Sequence, residues 1–459
     1  MKNTLQVHWI KNAAVAIAVT LLLSSTAFAE EPAAPAATAL TNAPLRAAGI
    51  SASRELTLDE AVKMTLVNNP TGKIAVFEYE AAKGTLTSAR SSRWPTISGT
   101  HNDSWTMSGD KVNQAAGRDP GSVTDRFTNS LNASWILWSG NRYESQISQA
   151  KLGLDSTQWG IAKARQQLKF DATTAYFNFM AARDSVALNQ EAVQRLESYL
   201  RDVRLQFEVG VVAKVDVLRT EVDLANARQA LIVAMNTYDI TMATLNNVVG
   251  LPLSTELSIK GDMTYSKYEQ ALAACVDAAL RQRPEISQLS DAAKSAQEGI
   301  TIAKAGYLPT VSAVYSPGWY DNTFAGGNNY NWAAYLQTTW TFMDSGLTAG
   351  KVKQAVEGFN KAKEQLKQTV DNIQLDVRSS YLSLKASEEA IQTSQAAVGL
   401  AEEDYKIKVI RYQAGVGTNL DVLDSQLALT TAKSNLLKSI YANNTYRAQL
   451  EKSMGVPVK

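Results

Sequence analysis

Two stretches of this sequence match position by position: FEVGVVAKVDVL at Phe207–Leu218 and YQAGVGTNLDVL at Tyr412–Leu423, at an offset of 205 residues. The same offset relates Gly250-Leu251-Pro252 to Gly455-Val456-Pro457. Solenoid repeats are only about 20 to 50 residues long, so a period of roughly 210 residues indicates something else. The sequence predicts one domain that has been duplicated.

A second pair of matches extends the duplication upstream. Arg93-Trp94-Pro95-Thr96 recurs as Tyr307-Leu308-Pro309-Thr310, now at an offset of 214 residues. We therefore place repeat 1 at residues 54–253 and repeat 2 at residues 254–459. Any function of the chain has to use the same structural unit twice.

The N-terminus has the pattern of a secretory signal peptide over residues 1–29. Basic residues precede a short apolar core, Ala13–Leu23, and the small-x-small site Ala27-Phe28-Ala29 follows it. A membrane anchor is the alternative, but this core is shorter than the roughly 20 residues that cross a bilayer. Residues 30–53, rich in Ala and Pro, are expected to form a flexible leader.

Composition argues against catalysis and against nucleic acid binding. The chain carries a formal net charge of +1, one cysteine (Cys275) and, beyond the signal peptide, one histidine (His101). One cysteine and one histidine are too few for a His/Cys metal cluster, and we expect no catalytic Cys–His pair. A nearly neutral chain also lacks the basic surface that nucleic acid requires. We predict no enzyme activity, no cofactor and no metal site.

Two long intervals without proline predict long helices. They are rich in good helix formers, and apolar residues in the first recur at spacings of three and four, which is typical of coiled coils. A glycine then marks a tight turn in each repeat, and an aspartate, Asp216 or Asp421, suits the start of a returning helix. The predicted long helices span 141–209 and 345–414, the tips 210–215 and 415–420, and the return helices 216–248 and 421–454.

Alternating segments before each long helix predict β-strands. Polar residues alternate with apolar and aromatic ones, as in outer-membrane barrel strands, although a half-buried soluble sheet uses the same alternation. Four strands cannot close a barrel, and an open edge cannot face lipid, so a membrane sheet requires several chains. The predicted strands lie at about 96–107, 126–138, 310–320 and 330–342.

With both repeats placed, the chain resembles the outer membrane factor family, the TolC-like exit ducts of Gram-negative bacteria. The resemblance is carried by Leu56–Ala61, Asn68-Asn69-Pro70, Arg93–Ile97, both tips and both Gly-x-Pro blocks. It implies an α+β membrane protein in which three chains form a twelve-stranded barrel in the outer membrane. A coiled-coil helical tube would continue that barrel into the periplasm. It also implies outer-membrane lipid, a periplasmic adaptor and an inner-membrane transporter as partners.

Two aspartates at the second tip are candidates for the duct entrance. Asp421 and Asp424 are three residues apart at the start of a predicted helix, so they share a face. Ordinary helix capping is the alternative explanation. The resemblance implies that three copies form a ring of carboxylates, with some pKa values raised by mutual repulsion. Arg219 occupies the matching position of repeat 1, so the ring comes from repeat 2 alone.

The resemblance implies two further roles for the tips. Residues matching Tyr412 and Asp216 can hold the entrance shut through links between neighbouring hairpins. Gly417 stands where family members often have a basic residue, which places the salt-bridge part of this lock in doubt. Docking of the adaptor is implied for six tip residues: Gly210, Val217, Leu218, Gly415, Val422 and Leu423.

These features favour a passive, trimeric exit duct for multidrug or metal efflux or for type I protein secretion. The alternative is a non-conducting structural tether between the outer membrane and periplasmic partners. A tether needs neither polar inward strand faces nor carboxylates at its tip. A periplasmic adaptor also uses a helical hairpin, but the duplication counts against that interpretation.

Overall fold

The computed structural model describes residues 56–259, 265–323 and 329–458. The predicted signal peptide and leader lie outside the described residues. The described chain consists of long helical hairpins and a four-stranded sheet. Its elements are α1 Leu58–Asn68, α2 Pro70–Ser91, β1 Thr96–Met107, α3 Asp110–Ala115, β2 Val123–Trp138, α4 Arg142–Glu208, α5 Lys214–Val249, α6 Leu272–Gln282, α7 Pro284–Lys304, β3 Thr310–Asp321, β4 Asn329–Thr339, α8 Leu347–Gln413 and α9 Asn419–Ser453.

The longest elements are α4 and α8, which have 67 residues each. At a rise of about 1.5 Å per residue, each is roughly 100 Å long. Their return partners, α5 and α9, have 36 and 35 residues. The sequence predicts 141–209 and 345–414 for the long helices, and the observed ends lie within two residues of these bounds. Coiled-coil spacing is visible in the buried side chains Val193, Leu196, Leu200 and Val203 of α4.

Four short helices, which the sequence analysis did not predict, precede the two strand pairs. Helix α1 begins with a capping box in which Thr57 accepts from the backbone of Glu60 and the Glu60 carboxylate accepts from the backbone of Thr57. Helices α2 and α7 each begin with proline, Pro70 and Pro284, where no N–H is needed. Together with α6, these helices pack along α4 and α8.

The strands form one antiparallel sheet in the order β1-β2-β3-β4. Each repeat supplies one hairpin, and β2 joins β3 with Phe127 opposite Asp321. Within the described residues β1 and β4 pair on one side only. The register places Leu131, Tyr315 and Leu336 on one face, because side chains alternate along each strand. The opposite face is mainly polar, with Ser, Thr, Asn and Gln side chains.

A matched pair of tryptophans joins the helices to the strands. The Trp135 indole N–H donates to the Arg93 carbonyl at 2.9 Å, and the Trp340 indole N–H donates to the Tyr307 carbonyl at 3.1 Å. Each acceptor lies two residues before a proline, at the same place in both repeats. The corner between helix and strand is therefore fixed in the same way twice.

Side chains buried between the helices stabilise the hairpins along their length. One cluster surrounds the fully buried Phe179 and Leu245 where α1 meets α4 and α5. A second lies among α6, α8 and α9 around Leu384, and a third lies at the tips. None of the helices in the described part of the chain is both long and apolar enough to cross a membrane.

Candidate functional site

The two helical hairpins end in tight turns of the same form. Gly210 and Gly415 have φ angles of 79° and 73°, in the left-handed region that glycine adopts without strain. In each turn the next N–H closes the helix end, from Val211 to the Gln206 carbonyl and from Val416 to the Arg411 carbonyl. The repeated glycine of the sequence therefore has a conformational cause.

Asp216 and Asp421 do not occupy the helix starts that the sequence predicts for them. Helices α5 and α9 begin earlier, at Lys214 and Asn419, so each aspartate is the third helical residue. At α9 the cap is Thr418, whose hydroxyl accepts from the Asp421 N–H at 3.1 Å and donates to the Asp421 carboxylate at 2.7 Å. This capping box supplies the helix start that an aspartate alone would otherwise supply.

Asp421 is already paired inside its own chain. Its carboxylate accepts from the Thr418 hydroxyl and from the Lys408 ammonium at 3.1 Å. The Thr418 hydroxyl, Lys408 and the Thr418 N–H lower the pKa of Asp421 to about 2. Within one chain the pKa of Asp421 is therefore lowered, because donors surround this carboxylate. The raised pKa values expected for a ring formed by three chains stay a prediction.

The low pKa of Asp421 predicts an acid-dependent α9 start. The folded pKa lies below the ordinary value of 3.8, so the stabilisation is complete above about pH 4 and is lost as the pH falls towards about 2. A carboxyl ¹³C titration of Asp421 should show a midpoint near 2. Lys408→Met should move that midpoint upward, and an unshifted midpoint in the variant would show that the ion pair has no influence.

Asp424 has a different environment. It is exposed on α9 and forms no ion pair among the described residues. Burial raises the pKa of Asp223 on α5, the neighbouring Asp424 carboxylate raises it further, and Arg219 opposes the shift. Asp223 was not predicted from the sequence. Charged groups of both hairpins therefore meet at this end of the molecule.

The predicted lock residues approach each other without a direct hydrogen bond in one chain. The Tyr412 ring lies against Tyr199, with centroids 5.6 Å apart. Burial raises the pKa of Tyr412, a hydrogen bond with the Tyr199 side chain lowers it, and the Asp216 carboxylate raises it further. The Tyr412 hydroxyl is buried beside the Tyr199 hydroxyl.

Asn419 links the two hairpins and was missed by the sequence analysis. Only 4% of it is exposed. Its Oδ1 accepts from the Tyr199 hydroxyl on α4 at 2.8 Å, and its Nδ2 donates to the Asp216 carbonyl on α5 at 3.1 Å. Thr220 also donates to that carbonyl, at 2.8 Å. The sequence did contain a signal for this role. Asn419 is a polar residue in the first turn of a helix, close to the apolar residues Val422 and Leu423.

Gly417 is closely packed against the end of α8. A Cβ atom there would lie 3.0 Å from the Tyr412 nitrogen and 3.2 Å from the Arg411 Cβ. A side chain at this position would be tightly packed, and a neighbouring group would have to move by a few tenths of an ångström.

The six predicted docking residues differ in exposure. Val217, Val422 and Leu423 are 9%, 1% and 5% exposed, and they pack in the core of the tips. Leu218 is 50% exposed. Gly210 and Gly415 form the turns described above. The exposed apolar surface of the tips consists instead of Leu218 together with Val209, Val211, Val215, Val416 and Leu420.

Comparison with known proteins decides the family. The model of the family described as outer membrane efflux protein matches residues 61–251 and 275–456, which is most of the chain. The chain belongs to the outer membrane efflux protein family. The match covers α4, α5, α8 and α9 and both strand pairs.

Individual members of the family extend this result. The chain is 22% identical to the toluene efflux pump outer membrane protein TtgC of Pseudomonas putida, over 87% of this chain and 82% of TtgC. It is 24% identical to the alkaline protease secretion protein AprF of Pseudomonas aeruginosa, over 87% of this chain and 85% of AprF. The crystal structure of the Campylobacter jejuni CmeC outer membrane channel has the same fold, with a TM-score of 0.78 at 18% identity, over 87% of this chain and 85% of CmeC.

Family membership fixes the compartment and the general role. The protein is an outer-membrane exit duct with a periplasmic extension, of the kind used in efflux or type I secretion. The outer-membrane exit duct that the sequence predicts, for efflux or type I secretion, is thereby confirmed.

Proposed function

We propose that three copies of this chain close their sheets into one twelve-stranded barrel. The single observation that carries this proposal is the pair of free sheet edges: β1 and β4 each have one unpaired side in the described chain. Lipid offers no partner for backbone N–H and C=O groups, so these edges require other strands. The apolar face with Leu131, Tyr315 and Leu336 then contacts lipid, and the polar face lines the lumen.

The long hairpins continue this barrel as a helical tube across part of the periplasm. Helices of roughly 100 Å carry the tips far from the strands. The tips are proposed to form the periplasmic entrance, where Asp424 of each chain faces the aperture beside Asp421 and Asp223. Three copies of these groups would attract cations to a narrow opening. Asp424 is the strongest candidate, because it has no ion-pair partner in the described chain.

The exposed apolar surface of the tips is proposed to dock a periplasmic adaptor. Apolar side chains clustered on an exposed end are typical of interaction sites. Leu218 carries this role among the predicted residues, and Gly210 and Gly415 shape the surface. The proposed docking surface lies over a core that contains the buried side chains Val217, Val422 and Leu423.

We propose that the duct itself is passive and that an inner-membrane transporter supplies both energy and cargo selection. TtgC is named for toluene efflux and AprF for alkaline protease secretion, so similar chains serve small molecules and proteins alike. The cargo of this chain is then determined by its transporter.

Bilayer recording of the purified, reconstituted protein tests the duct against the tether. A duct should give discrete, voltage-dependent current steps after insertion, whereas a tether should give none. A heat-resistant oligomer that inserts into vesicles and never passes current would favour the tether. Sedimentation that gives a stable monomer would contradict the barrel.

A further inference from the structure

We propose that an open groove along α4 binds the glycan strands of the cell wall. Helices α2 and α7 both pack on α4, and the groove runs over α4 between Tyr79 of α2 and Pro284 of α7. Its centre is Trp159, which is 41% exposed, and we call it the Trp159 groove. This inference rests on the periplasmic location that family membership establishes, and it does not require the trimer or its conductance.

The Trp159 groove has two lobes that meet at Gln158 and Trp159. One lobe, of about 510 Å³, lies between α4 and α7. The other, of about 500 Å³, extends towards α2 and the C-terminal residue Val458. Each volume is in the range of about 300 to 1,000 Å³ that is usual for binding sites. Two open lobes in line suit a chain of linked units better than one compact molecule.

The polar side chains that line the first lobe have no partners inside the chain. Asp155 and Gln158 of α4 and Ser287 and Ser290 of α7 form no side-chain hydrogen bond or ion pair among the described residues. By contrast, Gln288, which lies between the two serines, donates to an α4 carbonyl at 3.1 Å. The helices are therefore joined by other residues, and the groups that line the groove are available to a ligand.

The chemistry of these groups matches a sugar polymer. The flat apolar face of an indole packs against the C–H faces of sugar rings, and its N–H keeps a polar contact at the edge. A carboxylate accepts hydrogen bonds, and amides and hydroxyls both donate and accept them, as sugar hydroxyl and acetamido groups require. Asp155 and Arg165 place opposite charges in the two lobes. The groove is therefore not the basic surface that attracts nucleic acid or anionic lipid.

Repeat 2 does not have this site, although it has the same helix. Helices α4 and α8 have equal lengths at a constant offset of 205 residues, so Trp159 corresponds to Glu364 and Asp155 to Asn360. Because α8 forms with an exposed glutamate at this position, the packing of the rods does not require a tryptophan there. An exposed aromatic side chain beside unpaired polar groups is better explained by a ligand.

The position of the Trp159 groove fits the cell wall as the source of the glycan. Trp159 lies about 17 residues after Arg142, the first residue of α4, and hence roughly 25 Å from the end of the strands. Helices that extend roughly 100 Å from the outer membrane into the periplasm have to pass through the peptidoglycan layer of that compartment. A glycan strand bound in the groove would anchor the duct in that layer.

Cosedimentation of the purified full-length protein with protein-free peptidoglycan sacculi tests the groove. The wild type should pellet with the sacculi, and soluble N-acetylglucosamine oligomers should displace it, whereas maltose oligomers, which lack acetamido groups, should not. Trp159→Ala should weaken binding at least about tenfold, the loss expected for a central aromatic anchor. Trp159→Phe should retain most of the binding, because it keeps a flat apolar face. Asp155→Asn should have a smaller effect, since one acceptor oxygen remains.

Phe207→Ala is the matched control. Phe207 is 42% exposed on the same helix, at the opposite end from the strands, and its removal should leave sacculus binding unchanged. Equal loss in Phe207→Ala and Trp159→Ala would indicate nonspecific adsorption through exposed aromatic side chains and would overturn the proposal. Displacement by free stem peptides instead of glycan oligomers would overturn it as well.

Sedimentation velocity of the same variants separates glycan binding from assembly. If Trp159→Ala changed the oligomeric state and left sacculus binding intact, the groove would be an interface between copies and the proposal would fail. A wild type that does not pellet with sacculi would contradict the site and leave the duct standing. A wild type that pellets but never passes current in bilayers would support the site and contradict the duct.

Discussion

Proline at either Ala333 or Ala334 is expected to abolish the trimer proposed above. These residues are adjacent in β4, opposite Ser316 and Tyr315 of β3. Adjacent N–H groups of a strand point to opposite sides, so one of the two donates to β3 and the other points to the free edge. In a closed barrel both are needed, and proline removes either. Unheated gel electrophoresis and sedimentation should show monomer for both variants.

Gly109→Pro is the control for general damage by proline. Gly109 precedes the short helix α3, and its φ of −60° and ψ of 150° suit proline. This variant should remain a trimer. If one of the two β4 variants also formed a stable trimer, the edge of β4 would be free in the assembly and the barrel would have to close elsewhere.

The helical hairpins were predictable from the sequence because several independent features agree over long stretches of chain. The long helices are indicated by alternating three- and four-residue spacings, by the absence of proline and by a glycine at each turn. The short helices α1, α2, α6 and α7 were not predicted, because their stability comes from packing against α4 and α8 rather than from a strong local pattern. Their first residues, Pro70 and Pro284, were not identified as helix starts by the sequence analysis.

The position of the tips was predictable from the sequence, but their side-chain contacts were not. The sequence indicated that Asp421 and Asp424 share a helix face, yet it gave no sign that Lys408 reaches Asp421 at 3.1 Å from 13 residues upstream. The contact between Asn419 and Tyr199 joins residues 220 positions apart. Such pairs arise from the way two hairpins pack, and no spacing within one helix reports them.

These contacts change the roles expected of Asp421 and Asp424. Asp421 is tied to a cation and a helix cap, so part of its charge is already balanced. Asp424 is exposed and unpaired in the described chain, and its charge reaches Asp223 on the other hairpin. Two carboxylates on one helix face are therefore expected to contribute unequally to the same aperture.

Divalent or trivalent cations added on the periplasmic side should block current through the wild-type duct, and Asp424→Asn should raise the blocking concentration at least about tenfold. In the proposed trimer, three copies of Asp424 lose their charge together, and close charges in a narrow opening interact strongly. Asp421→Asn should have a smaller effect, because Lys408 already balances that carboxylate. The double variant, Asp421→Ala with Asp424→Ala, should lose the block. Current is measured in planar bilayers against cation concentration.

Two further variants make this prediction specific. Lys408→Met should strengthen the block, because it frees the Asp421 carboxylate that Lys408 holds at 3.1 Å. Asp404→Asn removes an exposed carboxylate of α8 about two helical turns from the tip, and it should leave the block unchanged. If cations still block the double Asp421/Asp424 variant, the two aspartates serve only in helix capping. Equal weakening by Asp404→Asn and Asp424→Asn would indicate a diffuse negative field instead of a ring at the aperture.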